Sequence, residues 1–397
     1  MKQTDDGETR APNERKTAPS TRVAARMVAK ILVWCVIFSL ELAVAAIAFV
    51  VVRMFIAREF GTRVHENVRL QGPSARPQLY FASGDENLTD VQSILSNPAD
   101  LADLKDLHAG LGVPITDFSP ARAQIVRQLN DDGIPAVAGI VLPGDQGYYV
   151  NAGNAPQTAV RFDEFRDWTR ANNLQWVAVG LDIEPANRDF EAWKQGHKLR
   201  FVSKLMWRYF GVAPFYRARA AYAALIAHIQ SQGYPVQTYQ MPFIIHGRRE
   251  HTTLFERLFG VVDVRGNLEV IMIYTSFRPS LDSAMIWELG PDAQAIVVGT
   301  VPPLDWDAFS RDLIVASHFT HVVGVYDLEG VLQEGFLPRL VAMNWAQSIV
   351  IPAKAIQKAA LLNKGIQTVT WTLSRLPYFA LLILLFHGYL IWRRRTA

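Results

Sequence analysis

The chain has 397 residues, 40 Lys+Arg against 37 Asp+Glu and a net charge of +3; half of its residues are hydrophobic and 19% are charged. Such a composition excludes a mainly disordered protein and suffices for one large core or two modest ones. The near balance of charge speaks against nucleic-acid binding, which calls for a basic excess or stripe, and the single cysteine, Cys35, excludes an intramolecular disulfide or a cysteine-built zinc site.

Residues 1–27 begin polar and of mixed charge, with no apolar period, and predict a disordered tail. Ile31 to Val52 is an apolar run with Glu41 as its one charge, long enough to span a bilayer as a helix. A carboxylate near the middle of a span costs roughly 2.5–3.5 kcal/mol, which the surrounding run absorbs; Glu41 reads as a protonated or helix-facing residue. A cleaved signal peptide would have a shorter apolar region and a small-residue cleavage site, whereas Val51-Val52-Arg53-Met54 is bulky. At the far end, Leu376 to Trp392 is uncharged and is followed by Arg393-Arg394-Arg395. A buried core helix is the alternative there, but basic residues lie on the terminal side of both runs. By the positive-inside rule both termini are cytoplasmic and everything between them is outside.

Short apolar runs recur between the two segments. They are Gln78–Ser83, Val113–Phe118, Ile134–Leu142, Gln175–Glu184, Val236–Ile245, Leu268–Phe277, Ala295–Val301 and His321–Leu328. Amphipathic helical patterns separate them, such as Pro120–Asn130 and Phe215–Gln232, the latter ending on Gly233. Strand–helix units repeated eight times predict an α/β fold, a (β/α)8 TIM barrel flanked by two transmembrane helices. A doubly wound open sheet is the alternative. It usually carries a Gly-rich phosphate turn after the first strand, where this chain has Ser83-Gly84-Asp85-Glu86-Asn87. The predicted domains are a tail (1–27), a span (28–54), a linker (55–77), the barrel (78–365), a second span (366–392) and a basic tail (393–397).

The fourth strand carries the chemistry. Alternation puts Val177, Val179, Leu181 and Ile183 toward the helices, and Ala178, Gly180, Asp182 and Glu184 toward the barrel interior. Two carboxyls thus end the strand on the rim where barrel enzymes build their sites. Crowded, buried acids keep a proton on at least one, as a general acid needs. Holding neighbouring arginines is the structural alternative.

Gly180-Leu181-Asp182-Ile183-Glu184 resembles the fourth-strand signature of the chitinase-like family 18 glycoside hydrolases (D-G-x-D-x-D-x-E) and the D-x-E of family 25 lysozymes. The resemblance implies Glu184 as proton donor and Asp182 as its assistant. Met272-Ile273-Tyr274 is similar to the M-x-Y of chitinase-like enzymes, where the Tyr steadies an N-acetyl group. Two positions depart from the pattern: Val179 replaces the first Asp, and Thr275 replaces the Asp after the Tyr.

Asp327 and Glu329 form a second D-x-E at a strand end, as rim residues or as caps of the next helix. Gln240 and Asp117 are candidate sugar contacts or satisfied structural groups. After Glu184 the chain is basic and aromatic, from Trp193 through Trp207, Arg208, Tyr209 and Phe210 to Arg219. This stretch could stack on sugars, pack on itself or meet a membrane surface. The combined expectation is a barrel on the periplasmic side of the inner membrane that hydrolyses a polysaccharide without metal or cofactor. The alternative is an inactive glycan-binding or scaffold subunit with envelope-assembly partners. Both spans are expected to join the barrel bottom, leaving the rim pointing away from the bilayer.

Overall fold

The computed structural model describes residues 21–58, 66–186, 198–275, 281, 283–299 and 305–396. Two compact units divide the chain: one of its two ends, up to Val51 and from Arg375, and one of Val52–Ser374.

In the larger unit, eight parallel strands close a barrel in chain order: β2 (Gln78–Ala82), β3 (Gly110–Ile115), β4 (Ala136–Ile140), β5 (Ala178–Ile183), β6 (Val236–Gln240), β7 (Leu268–Met272), β8 (Ala295–Gly299) and β9 (Val322–Tyr326). Closure comes from β9 pairing back on β2, Gln78 opposite Val322 through Ala82 opposite Tyr326. All eight fall on the predicted runs. β3 starts three residues early, because Gly110-Leu111-Gly112 reads as a break in the sequence. In the barrel those glycines face inward and make room: a Cβ on Gly110 would lie 2.3 Å from the Tyr80 ring.

Helices surround the strands as their patterns predict. The helix Pro120–Asp131 is capped by Ser119, whose Oγ accepts from the Arg122 amide at 3.2 Å. The helix Val212–Ser231 stops before Gly233, at φ +90°. One apolar layer lies between strands and helices and includes Val179, Leu181 and Ile183. A smaller one fills the barrel with Val270, Met272, Ala295 and Val297 against Tyr239, Tyr274 and Tyr326.

Two elements were not legible. Residues 55–77, expected as linker, contribute β1 (Val68–Gln71), which pairs antiparallel with β10 (Ser348–Ile351). These four-residue strands are too short for alternation to stand out. The last helix runs from Ala353 to Thr396, not from 366. Its first half belongs to the barrel unit and buries Ala355, Ile356, Ala359, Asn363 and Gln367, close to one residue per helical turn.

The smaller unit holds the apolar parts of the helices Thr21–Ile56 and Ala353–Thr396, both long and apolar enough to cross a membrane. Within it, His387 Nε2 and Glu41 Oε2 are hydrogen-bonded at 2.8 Å. Glu41 therefore faces the other helix, as expected for a lone acid in an apolar run.

Candidate active site

β5 presents its acids as alternation requires: Asp182 lies opposite Tyr239 of β6, and Tyr239 belongs to the interior cluster. The loop after β4 clamps the strand end. The Val150 amide donates to the Asp182 carbonyl at 2.9 Å, and the Glu184 amide donates to the Val150 carbonyl at 3.1 Å. A buried polar network fixes that loop. Asn151 Nδ2 and Asn154 Nδ2 each donate to the Tyr149 carbonyl at 2.9 Å, and Tyr222 Oη donates to Asn154 Oδ1 at 2.8 Å. Tyr148 takes a left-handed backbone, φ +59°, a conformation that a non-glycine residue adopts at a cost.

This clamp surrounds the acids with tyrosines. The Tyr148 and Tyr149 rings meet edge to face at 4.9 Å. The Tyr274 and Tyr326 rings, from the ends of β7 and β9, lie 5.6 Å apart. Burial, and then the charge of Glu184, push Asp182 well above the usual carboxylate range. Burial alone pushes Glu184 up to about 7. Asp182 Oδ1 is shut off from solvent with no hydrogen-bond partner among the described residues, a costly state for an ionised oxygen. Tyr149, Tyr274 and Tyr326 are raised by burial and by the charges of the acid pair, so their hydroxyls stay protonated and able to donate. Two carboxyls that retain protons near neutral pH thus sit in an aromatic mouth.

The other sequence candidates are placed elsewhere. Gln240 is on the outer face of β6, where its amide donates to the Val264 carbonyl at 3.0 Å and to the Val262 carbonyl at 3.4 Å. Asp117 pairs with Arg122 at 3.1 Å and accepts from the Ser119 amide at 2.8 Å. These bonds outweigh its partial burial and hold it down at about 2, so it is an ionised structural acid. Asp327 caps the helix Leu328–Gln333, accepting from the Gly330 amide at 2.8 Å; its Oδ2 also stands at the rim beside Gly84. Glu329 is exposed on that helix and pairs with Gln333 at 2.8 Å. Trp193 lies outside the described residues. Thr275 donates to Asp312 in the helix layer, so the position departing from the chitinase-like pattern faces away from the mouth.

Sequence reasoning passed over Tyr148, Tyr149, Tyr326 and Asp90. Tyr148 and Tyr149 lie in the loop after β4 and Tyr326 ends β9, and aromatics at the rim were the available signal. Asp90 is buried beneath the first rim loop, where burial lifts it to about 6 against the bonds from Ser83 Oγ and the Val91 amide. Only the fold brings it near Asp327.

No family model matches the chain, and no curated protein does. Solved structures resemble it only distantly. The PgaB (BpsB) glycoside hydrolase domain from Bordetella bronchiseptica is 8% identical, with a TM-score of 0.40 over 67% of this chain and 98% of that one. A D-allulose 3-epimerase from Methylomonas sp. is 12% identical, with a TM-score of 0.36 over 74% and 98%. An AP endonuclease, family 2, from Brucella melitensis is 12% identical, with a TM-score of 0.34 over 66% and 98%. Likenesses this distant bear on neither substrate nor chemistry, so the site is read from its own residues.

Proposed function

We propose that the protein is a membrane-anchored glycoside hydrolase that cleaves an extracytoplasmic polysaccharide by carboxyl acid catalysis. The observation that carries this reading is the proton-holding pair of Asp182 in β5 and Glu184 just past its end, at the barrel end used by barrel enzymes. Glu184, the less displaced of the two, delivers its proton to the glycosidic oxygen as the bond to the anomeric carbon breaks. Asp182 hydrogen-bonds and orients the substrate. Tyr274 and Tyr149 donate to oxygens next to the developing positive charge, and the tyrosine rings stack on sugar faces.

At neutral pH Asp182 is held protonated and Glu184, at about 7, is divided between its two forms, so neither is a dedicated carboxylate nucleophile. The nucleophile is then water or a group of the substrate itself, which fits the N-acetyl participation implied by the chitinase-like resemblance. Two spanning helices with basic outer flanks, Lys30 on one side and Arg393–Arg395 on the other, hold the barrel on the periplasmic side of the inner membrane.

Thr275 favours a second reading, a glycan-binding barrel without turnover, because its bond to Asp312 removes it from the mouth. The full-length protein, incubated with N-acetylated oligosaccharides, distinguishes the two. Hydrolysis by the wild type that falls by roughly 10²–10⁴ in Glu184→Gln supports the enzyme. Binding without hydrolysis supports the alternative.

A further inference from the structure

The helix Lys198–Phe210, which follows the acid-pair strand in the chain, has a one-sided surface. Val202, Met206, Trp207 and Phe210 are all exposed, Trp207 by 78% and Phe210 by 69%. Within residues 202–210 they share an arc of the helix interrupted only by Ser203, while Leu205, Arg208 and Tyr209 turn toward the barrel unit. Arg208 is held by the Leu258 carbonyl at 3.1 Å, and Arg257 donates to the Tyr209 carbonyl. The helix is therefore fixed on the barrel unit by its polar side and presents its apolar side outward.

Its position is set by a second contact. Tyr209 Oη donates to the Leu373 carbonyl at 2.8 Å. Leu373 lies in the long last helix, and its ordinary partner four residues on is Pro377, which has no N–H. The proline frees one carbonyl just before the apolar run that begins at Leu376, and Tyr209 satisfies it. On the other exit from the barrel unit, Arg53 pairs with Glu250 at 3.0 Å, and its guanidinium lies 5.5 Å from the Trp371 ring centroid.

We propose that Lys198–Phe210 is an interfacial helix, lying in the headgroup layer with Val202, Met206, Trp207 and Phe210 in the acyl boundary. This rests on the reading that the two apolar helices cross a membrane. An exposed arc of Val, Met, Trp and Phe with Lys204 at its flank matches a lipid interface in chemistry. The bond to Leu373 ties the helix to the chain three residues before the apolar run that begins at Leu376. The helix that follows the acid-pair strand in the chain then meets the lipid surface. The substrate class follows, a glycan chain met at the membrane surface.

Depth measurements on full-length protein in nanodiscs of phosphatidylcholine and phosphatidylglycerol test this. In a Cys35→Ala background, spin labels are placed through Trp207→Cys, Phe210→Cys, Leu384→Cys and Gln128→Cys. Relaxation by oxygen, which concentrates in lipid, is compared with relaxation by a water-soluble nickel chelate. The expected result is oxygen preference at 207 and 210, as at 384, with nickel preference at 128. Nickel preference at 207 and 210 with oxygen preference at 384 overturns the interfacial helix alone. Nickel preference at 384 overturns the membrane reading itself. Shielding of 207 and 210 from both reagents means that protein covers the arc, and also overturns the proposal.

Discussion

Replacing Glu184 by Gln should make the protein more stable at alkaline pH while slowing cleavage of its natural bond. Burial lifts the Glu184 pKa from 4.5 to about 7. A group raised in this way binds its proton more tightly in the folded than in the unfolded state. The fold therefore loses stability as pH rises from about 4.5 to about 7, and carries the full penalty above that. At about 1.4 kcal/mol per unit, the penalty is about 3–4 kcal/mol, an upper value for a side chain that is not fully enclosed. Gln keeps the shape and cannot ionise. The melting temperature of Glu184→Gln should match the wild type near pH 4.5 and exceed it by several degrees near pH 8.5. Thermal melts of the full-length protein at half-unit pH steps provide the assay. A difference that stays flat across pH, or a variant less stable throughout, would refute the claim that Glu184 is held protonated by its surroundings.

Three further outcomes are expected. Gly180→Val would bring its Cβ within 3.1 Å of the Tyr239 ring that lies beside Asp182; overpacking should cost about 1–3 kcal/mol in melts and lower hydrolysis through displacement of Asp182. Glu41→Leu and His387→Leu should each destabilise the paired helices, with a coupling of about 0.6–1.7 kcal/mol in the double-mutant cycle; additive effects would mean that the 2.8 Å contact contributes nothing. For the topology, Gln128→Cys should react with an impermeant maleimide in intact spheroplasts and Thr396→Cys only after permeabilisation. Labelling of Thr396→Cys from outside would place the C-terminus on the wrong side of the membrane.

The barrel was legible because its strands are apolar on one face and small or polar on the other, so eight runs stand out against helical patterns. β1 and β10 were not, since four residues such as VRLQ and SIVI carry no usable period. The acid pair was legible because Asp182 and Glu184 share one parity at a strand end, and parity alone decides which face a strand residue takes. Gln240 misled for the complementary reason. It shares parity with Val236 and Thr238, the outer set, and chemical type alone made it a candidate. Tyr148, Tyr149 and Tyr326 escaped because they converge from one loop and the end of β9, 177 residues apart. Asp90 escaped because nothing local distinguishes a helix-start acid in solvent from one sealed beneath a loop.

The central claim is that Glu184 gives up a proton to the leaving oxygen, and leaving-group dependence tests it most directly. Rates for wild type and Glu184→Gln are compared on an N-acetylated oligosaccharide and on the same sugar carrying a highly acidic phenol, which departs without protonation. If Glu184 is the acid, the variant loses roughly 10²–10⁴ on the natural bond and keeps most of its rate on the activated one. Equal losses on both substrates, or no loss on either, would contradict that role.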